Sequence, residues 1–298
     1  MSQSEISPAT PLSVADVVAV LRAAAPPELA EPWDSNQLIC GDPAEPVASV
    51  LLAVDPVTAV VDEAIERGAD MVITHHPLYL RGTDQVSATD PKGRSVHRLI
   101  RAGIALANAH TTLDAAHGGV AAALAAAVGL LATTPLEPNP LDPTQGIGRV
   151  GALPTPTRLR DLATAVAAAL PDSAPGLLVG GDLDATVETV AVSGGAGDSL
   201  LAAARSAGAD VFLTADLRHH PASEPLEAGR PYLLCGTHWA TEWVGLPPLA
   251  ARLERATAAS GRRLTTYVSE IVTDPWTLRL STGSRAGAGT AQSSIPSQ

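Results

Sequence analysis

Short apolar runs alternate along this chain with stretches of helical periodicity. Val47–Val54 and Met71–Thr74 read as buried strands, and Pro56–Gly68 between them reads as a helix closed by its glycine. Ser95–Gly103 continues as a helix and Ile104–Ala109 as a strand. Upstream, Ser13-Val-Ala-Asp16 has the form of a capping box, with Asp in the fourth place. It opens a helix toward Ala25, where Pro26-Pro27 stops it. Strand and helix taking turns in this way predict βαβ units, hence an α/β fold built on largely parallel sheet.

The pattern then recurs. Gly68-Ala69-Asp70-Met-Val-Ile-Thr74 returns 140 positions later as Gly208-Ala209-Asp210-Val-Phe-Leu-Thr214, and strand Val50–Val54 falls on Val190–Gly194 without a gap. The corner His75-His76-Pro77 meets Ala215-Asp216-Leu217, and two His-x-x-x-carboxylate pairs follow in the same order, His110/Asp114 and His238/Glu242. This succession predicts two related α/β halves with mostly parallel sheets and a metal site where the halves meet. Residues 12–132 are expected to form the first half and 158–280 the second. The stretch 133–157, dense in Pro and Thr, is the expected linker. The polar, small-residue ends 1–11 and 281–298 offer little apolar area to offset ordering and are expected to be disordered.

Composition narrows the chemistry. The chain is 46% hydrophobic but only 3% aromatic, so Ala, Val and Leu must build the core. A net charge of −12 with no Lys/Arg cluster argues against a nucleic acid polymer as partner. Lys92 is the only lysine, which disfavours a P-loop or Schiff-base chemistry. Two cysteines do not make a disulfide framework, and Cys235, three residues before His238, reads as a small buried residue rather than a ligand. The N-terminus lacks a charged segment followed by an apolar stretch, and the apolar run 120–132 is too short for a membrane span. A cytoplasmic protein without a membrane partner is expected.

The histidines carry the strongest signal. His75 and His76 stand side by side at a strand end, where Pro77 keeps His76 extended. Neighbouring strand side chains point to opposite faces, so the pair suits two adjacent ions better than one. Two metals at about 3.5–4 Å need a bridging carboxylate or water, and Asp114 and Glu242 are the available carboxylates. His238 and Glu242 share a face if their segment is helical. His110 reads as part of a loop leaving a strand, orienting Asp114 or a water from outside. His97 and His117 read as solvated or capping residues. His219-His220 follows Arg218 and lacks a carboxylate set, so a substrate-facing role with Arg218 neutralising an anion is expected. The run Ser193-Gly-Gly-Ala-Gly-Asp198 reads as a tight turn or a phosphate cradle without the full dinucleotide fingerprint.

Together, Ile73-Thr-His-His-Pro77, His110-Thr-Thr-Leu-Asp114, Thr214-Ala-Asp-Leu-Arg-His-His220 and His238-Trp-Ala-Thr-Glu242 resemble the family of GTP cyclohydrolase 1 type 2 homologs. The likeness runs from Trp33-Asp34 to about Arg279. It implies two α/β domains, a ring-shaped homohexamer and a two-metal site. The implied metal ligands are His75, His76, Asp114, His238 and Glu242, with Glu242 as the bridge. The chain departs from the family at Trp33-Asp-Ser-Asn36-Gln-Leu-Ile, where Trp-Asp-Asn-Val-Gly-Leu is usual. It departs again at Ala215, where glycine is usual.

These readings lead to a metal-dependent hydrolase with two divalent ions (Zn, Fe, Mn or Ni) and a small nucleotide or phosphorylated heterocycle as substrate. His110 or His220 is expected to shuttle the proton and Arg218 to hold phosphate. A non-catalytic protein that stores or delivers metal, or regulates a partner, would use the same ligands.

Overall fold

The computed structural model describes residues 11–280. The chain opens with β1 (Leu12–Ser13) and α1 (Val14–Ala24), then β2 (Leu38–Cys40), β3 (Pro46–Val47) and β4 (Ser49–Ala53). After these come α2 (Thr58–Arg67), β5 (Met71–Thr74), α3 (Pro91–Arg101), β6 (Ala105–Asn108), α4 (Thr111–Ala115) and α5 (Val120–Val128). The next segment holds β7 (Leu131–Pro138), β8 (Gly146–Arg158), α6 (Leu159–Ala169), β9 (Leu178–Gly180) and β10 (Thr186–Ala196). It is followed by α7 (Leu201–Ser206), β11 (Val211–Ala215), α8 (His219–Glu227), β12 (Tyr232–Gly236), α9 (His238–Trp243), α10 (Leu246–Ala259) and β13 (Thr265–Val268).

Two sheets organise the molecule. The first has the order β13-β4-β5-β6-β2 and is parallel except for its edge strand β2. The second has the order β7-β8-β10-β11-β12-β9 and is mixed: β10, β11 and β12 run parallel while β7, β8 and β9 join antiparallel. The expectation of mostly parallel sheets therefore holds for the first sheet and for the centre of the second. Apolar clusters lie on both faces of each sheet. That burial explains the strands' continuous apolar runs, since alternation appears only where one face meets water.

The repeat survives to the level of single hydrogen bonds. Asp70 Oδ2 accepts the backbone N–H groups of Ala48 and Ser49 at 2.9 and 2.8 Å, and Asp210 Oδ2 accepts those of Glu188 and Thr189 at 2.8 and 3.0 Å. These partners are separated by the same 140 positions as the two aspartates. Each aspartate thus ties the turn before its strand to the start of the preceding strand. Gly68 and Gly208 close their helices in the left-handed region at φ +63 and +70.

The expected halves interlock more than their sequence boundaries suggest. Residues 133–157, read above as a linker, form most of β7 and β8 and so belong to the second sheet. Pro135 and Pro138 sit on the edge strand β7, and Pro154 and Pro156 on the part of β8 that runs beyond its pairing with β7, where a missing N–H costs less. Helix α5 packs Leu124 and Ala125 into the core of the second sheet, while β13 and α10 return to the first. Buried Arg149 on β8 donates to the carbonyls of Gly146 and Gly148 at 2.6 and 2.8 Å. It also reaches those of Ala115 and Ala116 at 3.4 and 3.3 Å, at the end of α4. A cation on the last carbonyls of a helix is favourable, and here it joins the second sheet to the short helix that carries Asp114.

Of the ends expected to be disordered, 1–11 and 281–298, all but Pro11 lie outside the described residues. Among the described residues no helix is long and apolar enough to cross a membrane. The capping box of α1 forms as predicted: Asp16 N–H donates to Ser13 Oγ at 3.2 Å and Ser13 N–H to Asp16 Oδ2 at 2.9 Å. Ser13→Ala is expected to lower stability by about 1 kcal/mol, measured as a shift of the urea midpoint at unchanged slope.

Candidate metal centre

Strand pairing carries straight through the histidine pair. Beyond the end of β5, His75 N–H donates to Ala53 O at 3.0 Å and His76 N–H to Val54 O at 2.9 Å. Both N–H groups turn to the same neighbouring segment in a bend, so strict alternation is lost and both side chains stand past the carboxyl end of β5, the place where ligands bind in α/β sheets. His75 is 1% exposed, and its Nδ1–H donates to the carbonyl of Ala109 at 3.1 Å. His76 Nδ1–H donates to Asp55 Oδ1 at 2.7 Å. Both rings thereby turn Nε2 inward.

His110 caps the N-terminus of α4, so the segment read as a loop leaving a strand is one helical turn. The turn is held from outside by the loop 34–36. Asp34 Oδ1 accepts His110 Nδ1–H at 2.6 Å, and Asp34 Oδ2 accepts from the N–H of Thr111 at 2.9 Å and from its hydroxyl. Asn36 Oδ1 accepts the N–H of His110 at 2.5 Å and the Thr112 hydroxyl at 2.9 Å. The Trp33-Asp-Ser-Asn36 run, quoted above only as a motif, is thus the support of His110. Trp33 stands edge-on to that ring at 5.8 Å.

The third cluster comes from α9, which begins after Thr237 caps it through Ala240 N–H at 3.3 Å. His238 and Glu242 lie one turn apart on one face, as their spacing predicts, with His238 Nε2 3.0 Å from Glu242 Oε1. His238 Nδ1–H donates to Asp216 Oδ2 at 2.7 Å. Asp216 adopts the left-handed region at φ +54 to do so, a conformation Asp tolerates better than most residues. By the internal repeat, Asp216 occupies the position of His76 and Gly195 that of Asp55. The second half thus supplies a carboxylate behind a histidine where the first half supplies the histidine itself.

These elements converge on Glu242, which is 3% exposed. Its Oε1 lies 3.5 Å from His75 Nε2, its Oε2 3.2 Å from His76 Nε2, and Asp114 Oδ1 lies 3.5 Å from His75 Nε2. The approach of His76 to Oε2 is off the line of a hydrogen bond. Glu242 Oε2 and His75 Nε2 are therefore both buried without a partner. Two sets of side chains place ligand atoms within 4.8 Å of one another: His75 with His76 and His110, and His76 with His238 and Glu242. The structure thus brings together all five ligand positions named above and adds His110, read from the sequence as an outer residue.

The carboxylates favour positive charge on the groups around them. Burial opposes charging of His75, yet Glu242 and Asp114 beside it hold its pKa above the ordinary value. Burial likewise opposes protonation of His76, but Glu242 and the Asp55 hydrogen bond push it up to about 11. His238, also disfavoured by burial, is pushed to about 9 by Glu242 and Asp216. Burial raises Asp114, whereas Glu242 stays well below the usual carboxylate range despite its burial because His75 and His76 face it. Ring centroids of His76 lie 4.9, 5.3 and 5.1 Å from those of His75, His110 and His238. A divalent ion satisfies the same carboxylates while leaving the imidazoles neutral.

Gly195 shows how tightly the backbone passes the centre. A Cβ there would stand 2.3 Å from Glu242 Oε1 and 3.0 Å from His238 Nε2, and its φ of +65 already favours glycine. Its N–H donates to Thr241 Oγ1 at 3.0 Å and its carbonyl accepts from Thr214 Oγ1 at 3.0 Å. With that N–H taken, the glycine run is a wall of the candidate centre, closer to the tight-turn reading than to the phosphate cradle.

Other residues fall outside. Arg218 is 77% exposed and paired with Asp198 at 2.6 Å, and His219 and His220, edge-to-face with each other, stand exposed at the start of α8. Neither Arg218 nor His220 lines the cavities beside the centre. The expected phosphate and proton roles of these two residues find no support in their placement. His97 points to Val86 O at 3.0 Å on the surface, and His117 is exposed. Cys235 is half-buried, and burial pushes its thiol pKa up. The three aspartates behind the histidines, Asp34, Asp55 and Asp216, were missed as functional residues. For Asp55 and Asp216 the available signal was a carboxylate placed directly after a parallel strand. Asp55→Asn is expected to weaken metal binding 10- to 100-fold by freeing the His76 ring, as read by competition with a fluorescent chelator.

Residues 12–275 match the sequence profile of a family described as Duf34/NIF3 (NGG1p interacting factor 3). A Streptomyces coelicolor protein named GTP cyclohydrolase 1 type 2 homolog is 49% identical over 92% of this chain and 97% of its own length. A Mycobacterium bovis protein of the same name is 35% identical over 91% of this chain and 98% of its own. Among solved structures, a Staphylococcus aureus protein superimposes with a TM-score of 0.83 at 26% identity, covering 91% of this chain and all of that one. A Bacillus cereus protein described as related to NIF3 gives the same score at 24% identity, covering 90% and 99%.

Proposed function

Since the chain belongs to the Duf34/NIF3 family, we propose that it is a dinuclear metal-binding protein that works as a metal-dependent hydrolase on a small heterocyclic substrate. The observation that carries this reading is the buried, unpartnered pair His75 Nε2 and Glu242 Oε2. Leaving such atoms unpaired costs about 1–3 kcal/mol each or more, and the neighbouring imidazoles face the same space. His75, His76, His110, Asp114, His238 and Glu242 would hold two divalent ions, with Glu242 serving both. When bound, such ions polarise the attacked bond and lower the pKa of water toward neutrality.

The chain's own contribution is orientation. Asp55, Asp34 and Asp216 and the Ala109 carbonyl each take one Nδ1–H, which fixes the tautomer that presents Nε2. His110 is assigned here to the metal rather than to proton transfer, because Asp34 occupies one of its nitrogens and the cluster the other. The Gly195 wall and the α9 face keep the floor of the cavity free of backbone bulk. The His, Asp and Glu set suits Zn, Fe, Mn or Ni. The ring-shaped homohexamer and the cytoplasmic location expected above remain part of this proposal, and a stable monomer in sedimentation would remove the first.

Elemental analysis of the purified protein is the direct test, with about two ions per chain expected. A nucleotide-hydrolase and phosphatase screen with the metal found should then show turnover on a small compound. Metal without turnover on any compound would leave a storage or delivery protein; a chain that takes up no transition metal would end the proposal.

A further inference from the structure

A cavity of about 370 Å³ opens over the centre, with Asp114 and Glu242 in its floor and Glu31, Trp33, Glu137 and Ile147 among its walls. Among the described residues, no lysine or arginine lines it. The one arginine expected to meet an anion, Arg218, is held by Asp198 elsewhere. Trp33 is 58% exposed and stands at 76° to the His110 ring, so an indole face remains uncovered beside the centre. The buried, unpartnered oxygen of Glu242 and nitrogen of His75 mark where the reacting end of a ligand must come.

Resting on the reading of a metal-loaded centre, we propose that this cavity selects a flat nitrogen heterocycle of nucleobase or nucleoside size, uncharged or cationic, and disfavours polyphosphates. The volume lies at the lower end of the roughly 300–1,000 Å³ typical of small-ligand pockets. An aromatic ring gains by stacking on Trp33 without regard to its hydrogen-bonding pattern, and a cationic ring gains further from the indole face. Glu31 and Glu137 accept ring or exocyclic N–H groups, bonds that a carboxylate makes stronger than a neutral acceptor does. Bound ions would attract one phosphate, so the discrimination falls to these two wall carboxylates, which repel the further phosphates of a triphosphate tail. Neither Arg218, paired with Asp198, nor the glycine run, whose Gly195 N–H goes to Thr241, is placed to hold the phosphate expected from the sequence.

The test uses the metal-loaded full chain in titration calorimetry with adenosine, guanosine and cytidine, each against its triphosphate at one salt concentration. Metal content is measured on the same samples before and after. At least one nucleoside should bind tenfold or more tightly than its triphosphate. Trp33→Ala, compared with the parent chain at equal measured metal occupancy, should weaken that nucleoside at least tenfold. Glu31→Gln combined with Glu137→Gln should narrow the gap between nucleoside and triphosphate. Triphosphates binding as tightly as nucleosides to a chain that keeps its metal, or no nucleoside binding at all, would overturn the assignment while leaving the metal centre standing. A chain that never held metal would instead sink the reading beneath it.

Discussion

Replacing Glu242 with alanine is expected to empty both metal positions, lowering affinity by more than about 100-fold. The loss should exceed the 10- to 100-fold typical of an outer partner, because this carboxylate reaches both sets of histidines. Its Oε1 lies 3.0 Å from His238 Nε2 and 3.5 Å from His75 Nε2, and its Oε2 lies 3.2 Å from His76 Nε2. No other carboxylate in the cluster touches all three rings. Metal content by mass spectrometry should fall from about two ions per chain to less than one. His97→Ala, on the outer face of α3, should leave it as it was. Retention of both ions by the Glu242 variant would show that the two sites do not share this side chain.

Gly195→Ala carries the second large effect. The methyl group would meet Glu242 Oε1 at 2.3 Å, closer than any real contact, on a backbone whose φ of +65 is unfavourable for alanine. The backbone strain alone costs about 1–2 kcal/mol, and relief of the clash must move Glu242 or strand β10. Metal content should drop together with thermal stability. Gly208→Ala separates the two causes: its φ is +70, yet nothing lies within 4 Å of the added carbon. That variant should lose comparable stability and keep its metal. Equal metal loss in both would assign the effect to general destabilisation rather than to the wall of the centre.

Much of this molecule was legible before folding. The Gly-Ala-Asp repeat predicted two related units because the motif performs a local task, tying one turn to the neighbouring strand through Asp70 and Asp210. The helix carrying His238 and Glu242 followed from a spacing of four, and the capping box of α1 from Ser13 and Asp16. Each depends on residues near one another in the chain. Residues 133–157 read locally as a linker, because Pro and Thr are compatible with a linker and with a strand at or near a sheet edge alike. Only pairing partners from the second sheet decide between them.

The sequence by itself determined the α/β class, the repeated unit and most of the candidate metal ligands, His110 excepted, since period, turn chemistry and donor type are properties of short segments. The tertiary structure alone decided how those side chains act. It set Asp34 behind His110 across 76 positions, Asp55 behind His76 across 21 and Asp216 behind His238 across 22. It also turned Arg218 away to Asp198 and ran Gly195 past Glu242. Those choices rest on how separate strand ends and helices pack, and burial at the meeting point makes each pairing worth its ordering cost.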